Sequence, residues 1–159
     1  MVSTDSGKRN RRAVAVSWVL CVLCMGAIFW FSSRTASEST AQSDVFVEWL
    51  MSLFGESALW VFIVRKSAHC LEFTGLSLLF NTAWYFTRER KSVLLAVACT
   101  SLYAVTDELH QLFVDGRSCE LRDWAIDTLG AVLGALGFLV LLALTQKIIH
   151  HRQQKRKKQ

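Results

Sequence analysis

The chain has 159 residues, is 52% hydrophobic and 19% charged, carries a net charge of +5 and contains no proline. An average soluble domain is about 45–50% apolar and about 25% charged, so this chain is too apolar to be disordered. Its odd count of five cysteines gives no disulfide framework. Mean hydropathy is +0.31 despite eighteen Lys and Arg, so the basic residues are segregated from long apolar runs.

Taken in order, residues 1–12 form a basic arm holding Lys8, Arg9, Arg11 and Arg12. Residues 13–33 follow without a charge. About 20 residues at ~1.5 Å rise cross a ~30 Å hydrocarbon core, so this run reads as a membrane span. It exceeds the ~7–15-residue core of a signal peptide, and no small-x-small cleavage site follows; a retained span is expected. Cys21 and Cys24 form a C-x-x-C inside it, with no basic neighbour to stabilise a thiolate, and read as buried apolar residues. The next stretch is acidic, with Arg34 alone against Glu38, Asp44, Glu48 and Glu56. Within it Ser43–Leu53 is amphipathic: Val45, Phe46, Trp49, Leu50 and Leu53 recur at helical spacing, with Asp44 and Glu48 on another face. Such a helix lies on the membrane surface or packs over the bundle.

Three further runs read as spans: residues 59–86, 93–113 and 124–149. With the first they make an all-α, integral membrane four-helix bundle over residues 13–149, followed by a basic tail, 150–159. Thirteen of the eighteen basic residues lie in the N-terminal arm, the Arg88–Lys91 loop and the stretch from Lys147 through the tail. By the positive-inside rule both termini are cytoplasmic, and the loops after spans one and three face out. The tail reads as an anchor against anionic lipid, not as a nucleic-acid site.

Ionisable residues inside spans cost about 2.5–3.5 kcal/mol each near a helix centre and are functional candidates by default. Span two holds Arg65, Lys66, His69 and Glu72 near its outer end. Span three ends on Asp107, Glu108, His110 and Gln111, the outer loop holds Arg117, and span four begins with Asp123 and Asp127. Asp107/Gln111 and Asp123/Asp127 are i, i+4 pairs, each on one helix face. Below Asp127 the same face carries Gly130, Gly134 and Gly137, and Gly-x-x-x-Gly permits close helix approach. The topology therefore gathers separate polar stretches at one depth in the outer leaflet. Glu120 and Arg122 read as a surface ion pair, and Asp115 as a turn residue beside Gly116. A structural ion-pair network is the competing reading for the whole cluster.

The blocks Lys66-x-x-His69-x-x-Glu72, Asp107-Glu108-x-x-Gln111, Gly116-Arg117 and Asp123-x-x-x-Asp127 occur in this order. Together they resemble the VanZ-like family of bacterial membrane proteins, over roughly residues 64–134. Cys70 stands where that family commonly has an aromatic residue, and Asp127 where it commonly has Asn. The resemblance implies a small helical protein of the bacterial cell membrane. The family's namesake is associated with resistance to the glycopeptide teicoplanin, which makes glycopeptide resistance an expectation to test.

Three mechanisms fit these residues. In the first, an outer-leaflet site binds or acts on an anionic lipid or a lipid-linked envelope precursor. Arg65, Lys66, Gln111 and Arg117 bind the substrate, the arginines offering a bidentate fork to phosphate. His69, Glu72, Asp107 and Glu108 are the catalytic candidates for phosphoryl or glycosyl chemistry, His69 as general acid/base. No cofactor is demanded. Asp123 and Asp127 are candidate ligands for Mg²⁺ or Ca²⁺, which take oxygen donors. In the second, the same cations bind a lipid or lipoglycopeptide without catalysis. The third is ion- or proton-coupled transport, disfavoured because the inner halves of the spans lack ionisable groups. Oligomeric state is not encoded legibly.

Overall fold

A computed structural model describes residues 10–57 and 59–157. Of the residues read above as basic anchors, Lys8, Arg9 and Lys158 lie outside these, as do the side chains of Ser43 and Val45 in the amphipathic segment. Among the described residues there are five helices and no strands: α1 (Arg11–Ser32), α2 (Ala36–Phe54), α3 (Leu59–Arg88), α4 (Val93–Gln111) and α5 (Leu121–Arg156). With no proline to remove a backbone donor, α3 and α5 run uninterrupted for 30 and 36 residues.

The helix ends follow local chemistry. Asn10 caps α1 by accepting from Ala13 N at 3.1 Å. Thr35 and Glu38 form a capping box at the start of α2: Glu38 N donates to Thr35 Oγ1 at 3.3 Å, and Thr35 N to Glu38 Oε2 at 3.0 Å. That arrangement holds the Glu38 carboxyl below its ordinary pKa, chiefly through the Thr35 backbone N–H. Helix α2 stops at Gly55, whose φ of 86° is costly for a residue with a Cβ. It is longer than the amphipathic segment read from the sequence, because the capping box starts it at Ala36.

Three helices, α1, α4 and α5, are long and apolar enough to cross a membrane. The expected second span, α3, is long enough at ~1.5 Å per residue, but Arg65, Lys66, His69 and Glu72 keep it less apolar. Helix α3 instead occupies the centre and packs against each of the other four helices. Its Phe73, Leu76, Phe80 and Ala83 meet Cys21 and Ile28 of α1 and Ala96 and Ala104 of α4 in the core. Large apolar side chains of α1 and α5, such as Val22, Leu23, Val140 and Leu144, stay exposed, the inverse of a soluble bundle and the pattern a lipid-facing surface requires. Helix α5 extends beyond the span read as 124–149, and α4 ends two residues short of 113.

The tightest packing is between α3 and α5. A Cβ on Gly130 would stand 2.4 Å from the Cys70 carbonyl oxygen, and one on Gly134 2.2 Å from that of Thr74. The backbones therefore approach to a distance only glycine allows. Hydroxyls of α3 reach across this contact: Thr74 Oγ1 donates to Gly130 O at 3.1 Å, and Ser77 Oγ to Ala131 O at 2.6 Å. Gly137 is not part of it, since a Cβ there meets only Leu78 Cδ1 at 3.5 Å. On the opposite flank, Tyr103 of α4 donates to Met25 O of α1 at 2.7 Å.

Candidate functional site

The same end of the molecule receives the C-termini of α1 and α4 and the N-termini of α3 and α5. Ser32 Oγ, in the last turn of α1, donates to Asp107 Oδ2 of α4 at 2.8 Å. The Lys66 ammonium of α3 pairs with Asp123 of α5. Polar stretches far apart in sequence therefore meet at one level.

A cavity of about 320 Å³ opens there. Of the candidate site residues read from the sequence, Arg65, Lys66, His69, Gln111, Arg117 and Asp123 line it, and Phe62, Ser118, Glu120 and Arg122 are also in its wall. Arg117 reaches it from the turn that Gly116 makes at φ 73°. Its Nε donates to Arg34 O at 2.9 Å and a terminal nitrogen to Phe31 O at 3.5 Å, so it also ties the loop between α4 and α5 to the end of α1. Burial, and next the positive charge of Arg65, press the Arg117 guanidinium below its usual pKa. Arg65 has no hydrogen-bond or ion-pair partner among the described residues. Two guanidinium groups thus face one cavity and repel each other.

His69 also faces the cavity, with Nδ1 3.8 Å from Glu72 Oε2 on the next helical turn. That is a charge-pair separation, longer than a hydrogen bond. Glu72 itself sits deeper, and its Oε2 is buried without a hydrogen bond.

The remaining carboxylates have different surroundings. Asp107 is 3% exposed and accepts at Oδ2 from both Ser32 Oγ and Gln111 Nε2, the latter at 2.9 Å. Gln111 thus orients Asp107 while also lining the cavity. Glu108 Oε2 accepts from Glu120 N at 2.9 Å, at the start of α5, where a negative charge suits the helix dipole. Glu120 and Arg122 form the expected surface pair at 2.8 Å. Arg122 and Lys66 both approach the ring of Phe62, at 5.0 and 5.7 Å from its centroid.

Asp127 lies beneath the cavity, in a narrow crevice shared with Lys66, His69, Glu108, Asp123 and Ile126. It does not line the cavity itself. For the metal reading, no cluster of three or more His, Cys, Asp or Glu side chains able to hold an ion occurs among the described residues. Asp123 is engaged by Lys66, and the first-turn hydrogen bond to Glu108 occupies another oxygen of the set.

Sequence reasoning missed Ser32 and Phe62. Ser32 ends an uncharged run, and Phe62 is one apolar residue among many. Only the helix-to-helix rotation places the first on Asp107 and brings Arg122 of α5 over the second, beside Lys66 one turn along α3.

The chain belongs to the VanZ/LLP1 family, whose model matches residues 17–143. No curated protein and no solved structure matches the chain.

Proposed function

We propose that this chain is a multi-pass protein of the bacterial cell membrane whose polar cavity binds the phosphate of an anionic lipid or lipid-linked envelope precursor at the outer leaflet. The observation that carries the reading is that Arg65 and Arg117 line one cavity, Arg65 with no hydrogen-bond or ion-pair partner among the described residues. Like charges held together are relieved by an anion between them, and guanidinium forks suit phosphate oxygens. Both termini are cytoplasmic in this reading: the basic arm and tail belong to the inner face, and the acidic segment with α2 to the outer face. Helices α1, α3, α4 and α5 are the spans, α3 crossing with its polar outer third covered by its neighbours. Exposed Phe46, Trp49 and Phe54 on α2 favour an interfacial position for that helix.

The test is lipid binding by the purified full-length protein in neutral detergent. Phosphatidic acid should bind, and Arg65→Ala and Arg117→Ala should each weaken it about tenfold or more, as expected for lost charge-assisted hydrogen bonds. Unchanged affinity in both variants would sink the reading.

A catalytic version has its own support in His69 at the cavity wall, with Glu72 behind it at 3.8 Å. There His69 serves as general acid/base and Glu72 orients it. Release of phosphate or of a headgroup by the wild type, absent in His69→Ala, distinguishes catalysis from binding alone. Protection against teicoplanin is a consequence to be examined in cells, by comparing susceptibility of a deletion strain and its complement. Asp123 and Asp127 as Mg²⁺ or Ca²⁺ ligands stay within this proposal; turnover dependent on added cation is their test.

A further inference from the structure

Beneath the cationic lining of the cavity lie buried carboxylate oxygens that accept no hydrogen bond. Asp127 is 1% exposed, and neither of its carboxylate oxygens has a hydrogen-bond partner. Asp107 Oδ1, Asp123 Oδ1 and Glu72 Oε2 are likewise buried without a hydrogen bond, the last two having only ion-pair contacts at 4.0 Å to Arg122 and 3.8 Å to His69. A buried carboxylate without donors opposes folding, and replacing it by an apolar group of the same shape removes that cost. A whole set of such oxygens against one site is therefore a feature to be explained by something that brings donors.

Lys66, His69 and Asp123 line both the outer cavity and the crevice holding Asp127. These three side chains are shared by the two spaces, and two of them, Lys66 and Asp123, are ion-paired. Lysine is a point charge on a flexible stem with three donors. A phosphate in the cavity offers Lys66 a second anionic partner and so draws it away from Asp123. That movement opens the way to Asp127.

We infer that the headgroup recognised here carries N–H or O–H donors beside its phosphate, and that Asp127 receives one of them when Lys66 turns outward to the phosphate. The inference rests on the proposed phosphate-binding reading and narrows it to amine- or hydroxyl-bearing phosphate headgroups. A metal ion fits less well, since no three-ligand cluster stands ready among the described residues. Such a headgroup needs only one oxygen at a time.

Phosphatidylethanolamine and phosphatidylcholine test this directly. Both carry one phosphodiester and one cationic nitrogen, but full methylation leaves the second without a donor. Phosphatidylglycerol supplies hydroxyl donors in place of the amine. Binding of each lipid to the full-length protein in neutral detergent is to be followed by native mass spectrometry, for wild type, Asp127→Leu and Asp127→Asn. Leucine keeps the branched shape of aspartate and removes both acceptors; asparagine keeps one. For wild type, at least one donor-bearing lipid should bind about tenfold tighter than phosphatidylcholine, the worth of one hydrogen bond to a charged group. In Asp127→Leu that preference should vanish while phosphatidylcholine binding persists, which also reports an intact fold. If the leucine variant does not fold, the preference must still fall in Asp127→Asn. Equal wild-type affinity for all three lipids overturns the inference, and so does a preference that both variants retain. Arg65→Ala and Arg117→Ala separate the two claims: if both leave phosphatidylcholine binding unchanged, the phosphate reading fails, whatever the order of the three lipids.

Discussion

Lys66 of α3 and Asp123 of α5 form an ion pair across 57 positions of sequence, and that pair is at once a helix-to-helix tie and part of the lining of both the cavity and the crevice that holds Asp127. Their side chains are 21% and 15% exposed, between the regime of surface pairs and that of buried ones. Removing either partner alone strands a largely desolvated charge. Lys66→Ala or Asp123→Ala should therefore cost about 1–3 kcal/mol, between the values for exposed and buried pairs, and the double variant less than the sum. Thermal unfolding in detergent measures all three.

Gly134→Ala should be far more damaging than Gly137→Ala. The first places a Cβ 2.2 Å from the Thr74 carbonyl oxygen, which is backbone and cannot turn aside. The second meets a leucine methyl at ordinary contact distance. We expect Gly134→Ala to lower the unfolding midpoint sharply and Gly137→Ala to leave it near wild type. Equal midpoints would show that α3 and α5 are not closely packed in the membrane.

Replacing Asp127 by leucine should raise the unfolding temperature, since a buried carboxylate without donors gives way to an apolar side chain of similar shape. Such a gain would mark Asp127 as a residue kept for function at the expense of stability. A lowered midpoint would point to a structural role for it.

His69→Ala and Glu72→Gln should abolish function in cells while membrane abundance stays near wild type, because neither side chain makes a short hydrogen bond to another helix among the described residues. Asp107→Ala should differ. It releases both Ser32 and Gln111, so abundance should fall with function. Immunoblots of the membrane fraction beside the phenotype decide between these outcomes.

Cys119 is the exposed cysteine, in the loop before α5, while Cys21 is buried and Cys24, Cys70 and Cys99 are half-buried. In the proposed orientation a membrane-impermeant maleimide should label Cys119 on intact cells. Labelling only after permeabilisation would reverse the topology and move the cavity to the cytoplasmic side.

Acid should loosen the start of α2. The Glu38 carboxyl lies below its unfolded pKa because the capping box favours the charged form. Its stabilising contribution is complete above the unfolded value of about 4.3 and is lost as pH falls through the lowered folded value. Hydrogen exchange at the first turn of α2 should therefore quicken below about pH 4, and Thr35→Ala should bring the same change at neutral pH.

The apolar runs, the absence of proline and the i, i+4 spacings determined by themselves that the chain is helical, where its long helices lie and that its polar residues recur on definite helix faces. Membership of the VanZ-like family was legible in the ordered blocks from Lys66 to Asp127, and the small-residue face of α5 in Gly130 and Gly134. These are local properties, fixed by a periodicity of 3.6 residues. What each polar residue faces was left to the tertiary structure, because partners on separate helices depend on rotation and height that no local pattern sets. Rotation puts Ser32 on Asp107, the start of α5 on Glu108, and Lys66 on Asp123. It leaves Arg65 and Arg117 turned toward one cavity and Asp127 buried with no donor. The sequence presents Asp123 and Asp127 as equals, one helical turn apart; packing gives the first a lysine and leaves the second bare.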